Sequence, residues 1–268
     1  MVCASSGRPS LELRQLWEYR ELLYFFVWRD VKVRYAQTFL GAAWAILQPV
    51  LTMVAFTVFL GRLAGVPSDG APYPLFSYAA LVPWTFFATG LGHGANSLSG
   101  SANLIDKVYF PRLLLPLAAV LGSALDFVLA FSVLVVLLIV FGVMPPPQVV
   151  ALPFFVLLLL VATLGVVLWL AALNARYRDV RHAVPFLVQL LLLVTPVAYP
   201  SSLLPASWRA VYALNPMVGV VEGFRWSLLG TGDSPGLPLL VSTITAFVLL
   251  LSGAYYLRRT ERTVADVL

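Results

Sequence analysis

The side chains of this sequence that could do chemistry are two histidines, twelve carboxylates, one cysteine and a set of polar residues inside apolar runs. His93 and His182 share no metal-ligand spacing with each other or with Cys3, so no metal site is expected. A single cysteine also excludes an internal disulfide. Asp106, Asp126, Asp179 and Glu222 fall in different loops or runs, which leaves no paired carboxylates for acid–base catalysis. The phosphate-binding pattern GxxxxGK(S/T) is missing, so the chain binds no ATP in the P-loop manner, and ATP-driven work needs a partner. No cofactor is expected in the chain itself.

What remains is polar chemistry embedded in apolar sequence. Gln37, Gly41, Trp44, Gln48 and Thr52 recur at spacings of four and three, which places them along one helical face. Thr85, Thr89, His93 and Asn96 do the same beside Trp84, Phe86 and Phe87. Such faces suit a glycan track, because sugars offer hydroxyls to amides and C–H faces to aromatic rings. They equally suit helix–helix packing, where small and polar residues join spans. Asp126 lies in the middle of a third apolar run, where a charge costs about 2.5–3.5 kcal/mol. It must face protein or water; a hydrogen-bonded packing role and a proton relay are both open, and the same holds for His93.

The elements that position these residues are membrane spans. Of 268 residues 60% are hydrophobic and 11% charged, with mean hydropathy +0.91, more apolar content than one soluble core can bury. Six runs approach the roughly 20 residues that cross a bilayer. They predict spans at about 39–60, 75–97, 113–143, 149–173, 183–199 and 237–257, with Pro145–Pro147 turning a tight hairpin between the third and fourth. The third is long enough to tilt. The fold class expected is all-α integral membrane, divided as a cytoplasmic segment 1–37, a membrane domain 38–258 and a cytoplasmic tail 259–268.

Charge sets the orientation. The N-terminal segment carries six Lys or Arg, the second connection two, the fourth three and the C-terminus three, so fourteen of the 17 lie on one side. Arg62, Arg209 and Arg225 lie on the other. By the positive-inside rule both termini are cytoplasmic, in a bacterial inner membrane. Basic residues scattered between spans mark topology, not nucleic-acid binding. Met1–Ser10 lacks the pattern of a signal peptide, consistent with an N-terminus that stays inside.

Two segments are neither spans nor simple loops. Leu11–Tyr35 mixes charges with Leu13, Leu16, Trp17, Tyr24, Val27 and Trp28 at helical spacing, which predicts an amphipathic helix in the interface. Residues 200–230, broken by Pro205, Pro216 and Gly219, predict two short helices that re-enter the outer leaflet, tolerated only where protein buries their backbone. The inner connection Asn103–Arg112 reads as a short charged helix with exposed aromatics, ended by Pro111, that docks a cytoplasmic partner.

Five pieces in order resemble the permease subunits of ABC-2 type exporters for polysaccharides and polyol phosphates. They are DVKVRYAQTFLGAAW (Asp30–Trp44) with Gln48 and Pro49, KVYFPR (Lys107–Arg112), NARYRDV (Asn174–Val180), AsnProMet with EGFRW (Asn215–Trp226), and ERTVADV (Glu261–Val267). The resemblance covers nearly the whole chain. It implies two permease copies around a channel and two copies of a separate P-loop ATPase that binds ATP and Mg. It implies ATPase coupling through Trp28, Arg29, Asp30, Asp106, Lys107, Tyr109, Phe110 and Arg112, and an outer gate at Trp208, Asn215, Pro216, Glu222 and Arg225. Aromatic channel lining is implied as a class; Trp44, Gln48, Trp84, Phe87 and Tyr199 are the residues expected to supply it. In the tail Val264 replaces the usual aromatic.

The expected function is export of a lipid-linked polysaccharide, O-antigen type, with teichoic-acid or capsular export as the alternative by the same mechanism. An ATP-independent secondary transporter using Asp126 and His93 is the rival from another class. An intramembrane serine protease lacks a histidine within its last two spans.

Overall fold

In hydrocarbon every backbone N–H and C=O must be satisfied within the protein, which leaves an apolar chain of this kind helix or closed barrel. The computed structural model describes residues 17–36, 41, 43–101, 104, 107, 110–177, 179–231 and 236–267, and every regular element among them is helical. The helices are α1 (Arg20–Tyr35), α2 (Ala43–Phe56, continued by a π-helical stretch Thr57–Leu63), α3 (Tyr73–Ala95), α4 (Leu114–Gly122) and α5 (Ala124–Val140). They continue with α6 (Leu152–Arg176, after a 3-10 turn Pro147–Ala151), α7 (Val180–Val194), α8 (Ala206–Tyr212), α9 (Pro216–Leu229) and α10 (Leu237–Val267). Five stretches are long and apolar enough to cross a membrane: 43–63, 73–95, 114–140, 147–176 and 237–260.

The departures from expectation have local causes. The third run is not one continuous helix but α4 and α5, broken at Ser123. The fifth run yields a helix of 15 residues, about 22 Å long and shorter than the roughly 30 Å of a hydrocarbon core. It stops because Pro196 disfavours helical geometry at the preceding residue, and Thr195 is extended at φ −102° and ψ 139°. The sixth run does not end at the tail: α10 carries on through Val267 as one helix.

Helix α3 is the centre of the bundle, with Leu75, Phe76, Tyr78, Leu81, Trp84, Phe87 and Leu91 all buried. Around it pack α5, α6 and α9, and α6 in turn lies along α10. That last pair approaches closely because both helices present glycine: a Cβ on Gly165 would sit 2.9 Å from the backbone nitrogen of Leu250, and one on Gly253 would sit 3.1 Å from the carbonyl of Gly165. Small residues let spans approach without a hydrophobic drive. Gly165→Leu is therefore expected to force α6 from α10 and cost at least about 1–3 kcal/mol, read as a lowered Tm in detergent micelles.

Candidate functional site

A cleft of about 410 Å³ lies between α2, α3 and α7. Its walls carry Gly41, Trp44, Gln48 and Thr52 from the first span, Trp84, Thr85, Thr89 and His93 from α3, and Gln189 from α7. The two polar stripes predicted from spacing thus face each other across one space. Thr52, Thr85 and Thr89 bond their hydroxyls to carbonyls three or four residues back, which makes them tolerable in a span. Two amides, two indoles and three hydroxyls around this space offer hydrogen bonds and aromatic faces to a polar polymer, with the charged groups Arg34 and Asp126 gathered at one end. Gln37 lies outside the described residues. Phe87 stands apart from this wall, its ring tilted against Trp84 at 5.6 Å and buried in the core. Asn96 also turns away, bonding the carbonyl of Gly92.

One end of the cleft is ionic. Arg34 on the last turn of α1 donates to Asp126 at 2.5 Å, and Tyr35 donates to the other carboxylate oxygen. Asp126 is thus a paired residue, as its position in an apolar run requires. Its partner was legible only as an orientation charge. Neither the Tyr35 contact nor the contribution of Gln189 has a sequence signal of its own.

On the side of α1, Phe110 corrects an expectation. It is only 5% exposed, set edge-on against Phe26 at 5.4 Å, and not an exposed docking aromatic. Burial follows because Phe26, Leu114, Leu115, Leu98 and Leu257 form an apolar pocket where the connection meets α1 and α10. Trp28 by contrast is 57% exposed, and Arg29 pairs with Asp30 at 2.9 Å on the same helix. Lys107 is exposed and Arg112 half-buried; Asp106 and Tyr109 lie outside the described residues. The two predicted coupling elements are therefore joined by the Phe26–Phe110 contact.

The chain around the start of α9 is held by capping chemistry. Asn215 is the N-cap of α9, its Oδ1 accepting from the Met217 amide at 3.1 Å, while its Nδ2 donates to Thr195 at 2.8 Å. Pro216 occupies the first turn, where no N–H is needed, and Gly230 closes the helix at φ 65°. Arg225 is fully buried and donates to four carbonyls: Phe76 (3.2 Å), Pro196 (2.6 Å), Val197 (2.7 Å) and Tyr199 (3.4 Å). Its guanidinium also lies 3.5 Å from the centre of the Phe76 ring. Tyr199 donates to the carbonyl of Leu193, so the Tyr212 hydroxyl, 2.9 Å away, is the donor of their pair. Burial, then the Tyr199 contact, pushes the Tyr212 hydroxyl up, which keeps that donor protonated. Tyr199 is thus engaged with Tyr212 of α8 and is not on the wall of the cleft. Trp208 is 63% exposed, and Glu222 lines a smaller cavity of about 170 Å³ with Arg225. A further cap went unseen in the sequence: Asn174 donates to the carbonyl of Ala95 at 2.8 Å, closing the end of α3.

Five helices fit to cross a bilayer, with a polar cleft among them, define a multi-pass α-helical membrane protein. Residues 21–229 match the ABC-2 type transporter family, and the chain belongs to that family. It is 35% identical over 257 residues to the O-antigen export system permease protein RfbA of Myxococcus xanthus, covering 93% of this chain and 96% of that protein. It is 27% identical to a Klebsiella pneumoniae protein of the same name, over 92% and 95% of the two chains. The polysialic acid transport protein KpsM of Escherichia coli is 23% identical, over 87% and 91%.

Proposed function

We propose that this chain is the permease of an ABC exporter that moves a lipid-linked polysaccharide of O-antigen type across the inner membrane. ATP is hydrolysed by a separate cytoplasmic subunit, and both termini lie on that subunit's side. The observation that carries the reading is the cleft. Amides and hydroxyls of Gln48, Gln189, Thr85 and Thr89 alternate with the indoles of Trp44 and Trp84, a surface suited to a sliding sugar chain and to no covalent step. The greater likeness to O-antigen permeases than to the polysialic acid transporter favours the first glycan class over capsule, and the same mechanism would serve teichoic acid.

Two copies complete the channel. On either side of the cleft α2 and α7 leave Leu47, Leu51, Phe186, Leu190 and Leu193 exposed, apolar faces that a second permease or lipid must cover. In this arrangement α7 with the non-helical turn after it makes the sixth crossing. Helices α8 and α9 form the re-entrant outer gate; Asn215 meets the Met217 amide at the start of α9, and Arg225 meets the carbonyls of Pro196, Val197 and Tyr199 in the irregular chain that leads to the gate, as buried irregular backbone requires. Against a proton-driven carrier stands Asp126, already engaged by Arg34 and Tyr35.

The test is reconstitution of the permease with its ATPase in vesicles supplied with lipid-linked O-polysaccharide. Polymer is expected to cross only with both subunits and ATP. Transport by the permease alone down a proton gradient would contradict the proposal.

A further inference from the structure

The junction between α4 and α5 holds an ionic cluster that neither a topology rule nor cleft lining explains. Arg34 reaches it from the end of α1 and makes three contacts there: Asp126 Oδ2 at 2.5 Å, the carbonyl of Gly122 at 3.4 Å and Ser123 Oγ at 3.5 Å. Tyr35 binds the second carboxylate oxygen. The side chains of Arg34 and Asp126 are each only 17% exposed. Asp126 stands at the third position of α5 after Ser123, where an acidic side chain ordinarily serves its own helix N-terminus. Here no side-chain cap is made; Ser123 turns back to the carbonyl of Ala119, and the carboxylate turns to α1. Gly122 lies against α1 here: a Cβ at this position would sit in ordinary van der Waals contact, 3.6 Å from Asp30 Cβ and 3.9 Å from the Arg34 guanidinium.

We infer that the Arg34–Asp126 pair with Tyr35 is the mechanical link by which movement of α1 reaches the wall of the cleft. Arg34, Tyr35 and Asp126 all border the cleft, on the side where His93 projects from α3. Arg34 holds both sides of the break in the third span, the Gly122 carbonyl of α4 and the Asp126 carboxylate of α5, so a movement of α1, which packs along α4, is passed to both halves of that span. A charge-assisted pair with four directional bonds transmits displacement in a way that the surrounding apolar contacts, which slide, do not. These are positioning residues: they touch no nucleotide, and their effect on transport passes through the helices they join. The inference rests on the exporter reading above.

The test uses the full permease–ATPase complex in the same vesicles and measures polymer exported together with ATP consumed. Asp126→Asn is expected to cut export at least tenfold while the partner continues to hydrolyse ATP, raising the ATP spent per polymer about tenfold. Tyr35→Phe, which keeps the ion pair, is expected to raise that ratio two- to threefold. The swapped double variant Arg34→Asp, Asp126→Arg is expected to recover a third or more of the lost export. Failure of the wild-type complex to export would sink the exporter reading itself. With the wild type active, an unchanged ATP-to-polymer ratio in both single variants would overturn the link, as would export and hydrolysis falling in proportion, which marks a structural staple only. Should Asp126→Asn not assemble, the Tyr35→Phe ratio decides alone.

Discussion

Replacing Arg225 with methionine is expected to destabilise the protein by at least about 3 kcal/mol. Methionine has comparable length and no polar atoms, so the four carbonyls of Phe76, Pro196, Val197 and Tyr199 lose their shared donor in a fully buried place. Each buried acceptor left unmet costs about 1–3 kcal/mol, and relaxation recovers part of the sum. The carbonyls of Pro196, Val197 and Tyr199 have few other donors, because the chain leaves helical geometry at Thr195, whereas that of Phe76 lies within α3 and keeps its helical partner. A loss of this size lowers Tm by roughly 6–12 °C, which thermal unfolding in detergent micelles measures. Arg225→Lys should fall between, since one ammonium cannot reach all four oxygens in a plane. Equal stability of Arg225→Met and wild type would remove Arg225 from its place as the pin between α9, α3 and the chain after α7.

Filling the cleft should abolish transport with little loss of stability. Ala88 and Thr85 face the cleft from α3 and are only partly buried, so a tryptophan at each projects into open space and leaves the core undisturbed. The double variant Thr85→Trp, Ala88→Trp is expected to export less than one hundredth of the wild-type polymer while its Tm stays within about 2 °C, the drop that about 1 kcal/mol would produce. Export and unfolding measured on the same purified complex check both halves of the expectation. Transport at wild-type rate would place the polysaccharide elsewhere.

How far these features were legible differs by kind. Spans emerge from sequence because apolar run length is a one-dimensional property, and five of six runs returned as stretches long enough to cross, the third as α4 and α5 in succession. The fifth fell short for a reason that was also written in the sequence, the Thr195–Pro196 pair, but run length counts apolar residues and ignores what a proline does to its neighbour. Polar stripes were legible because the helical period sets their direction; that α2, α3 and α7 would gather them around one space was not. Partnerships are the hardest to read. Arg34 and Asp126 are 92 positions apart, as are many other pairs, and nothing local joins them. The cost of an acid in an apolar run demanded a partner without naming it. Phe110 failed in the other direction: aromatic residues in a charged connection suggested an exposed surface, whereas Phe26 of α1 covers it.

The central claim is that the cleft is the path of the glycan. It is tested most directly by photo-crosslinking in the exporting complex, with a benzophenone side chain at Gln48 or Gln189 inside the cleft and, as comparison, at Val136 on the exposed face of α5. With export stalled partway by withdrawal of ATP, polysaccharide adducts are expected at Gln48 and Gln189 and not at Val136. Adducts at Val136 alone, or equal yields at all three positions, would contradict the account.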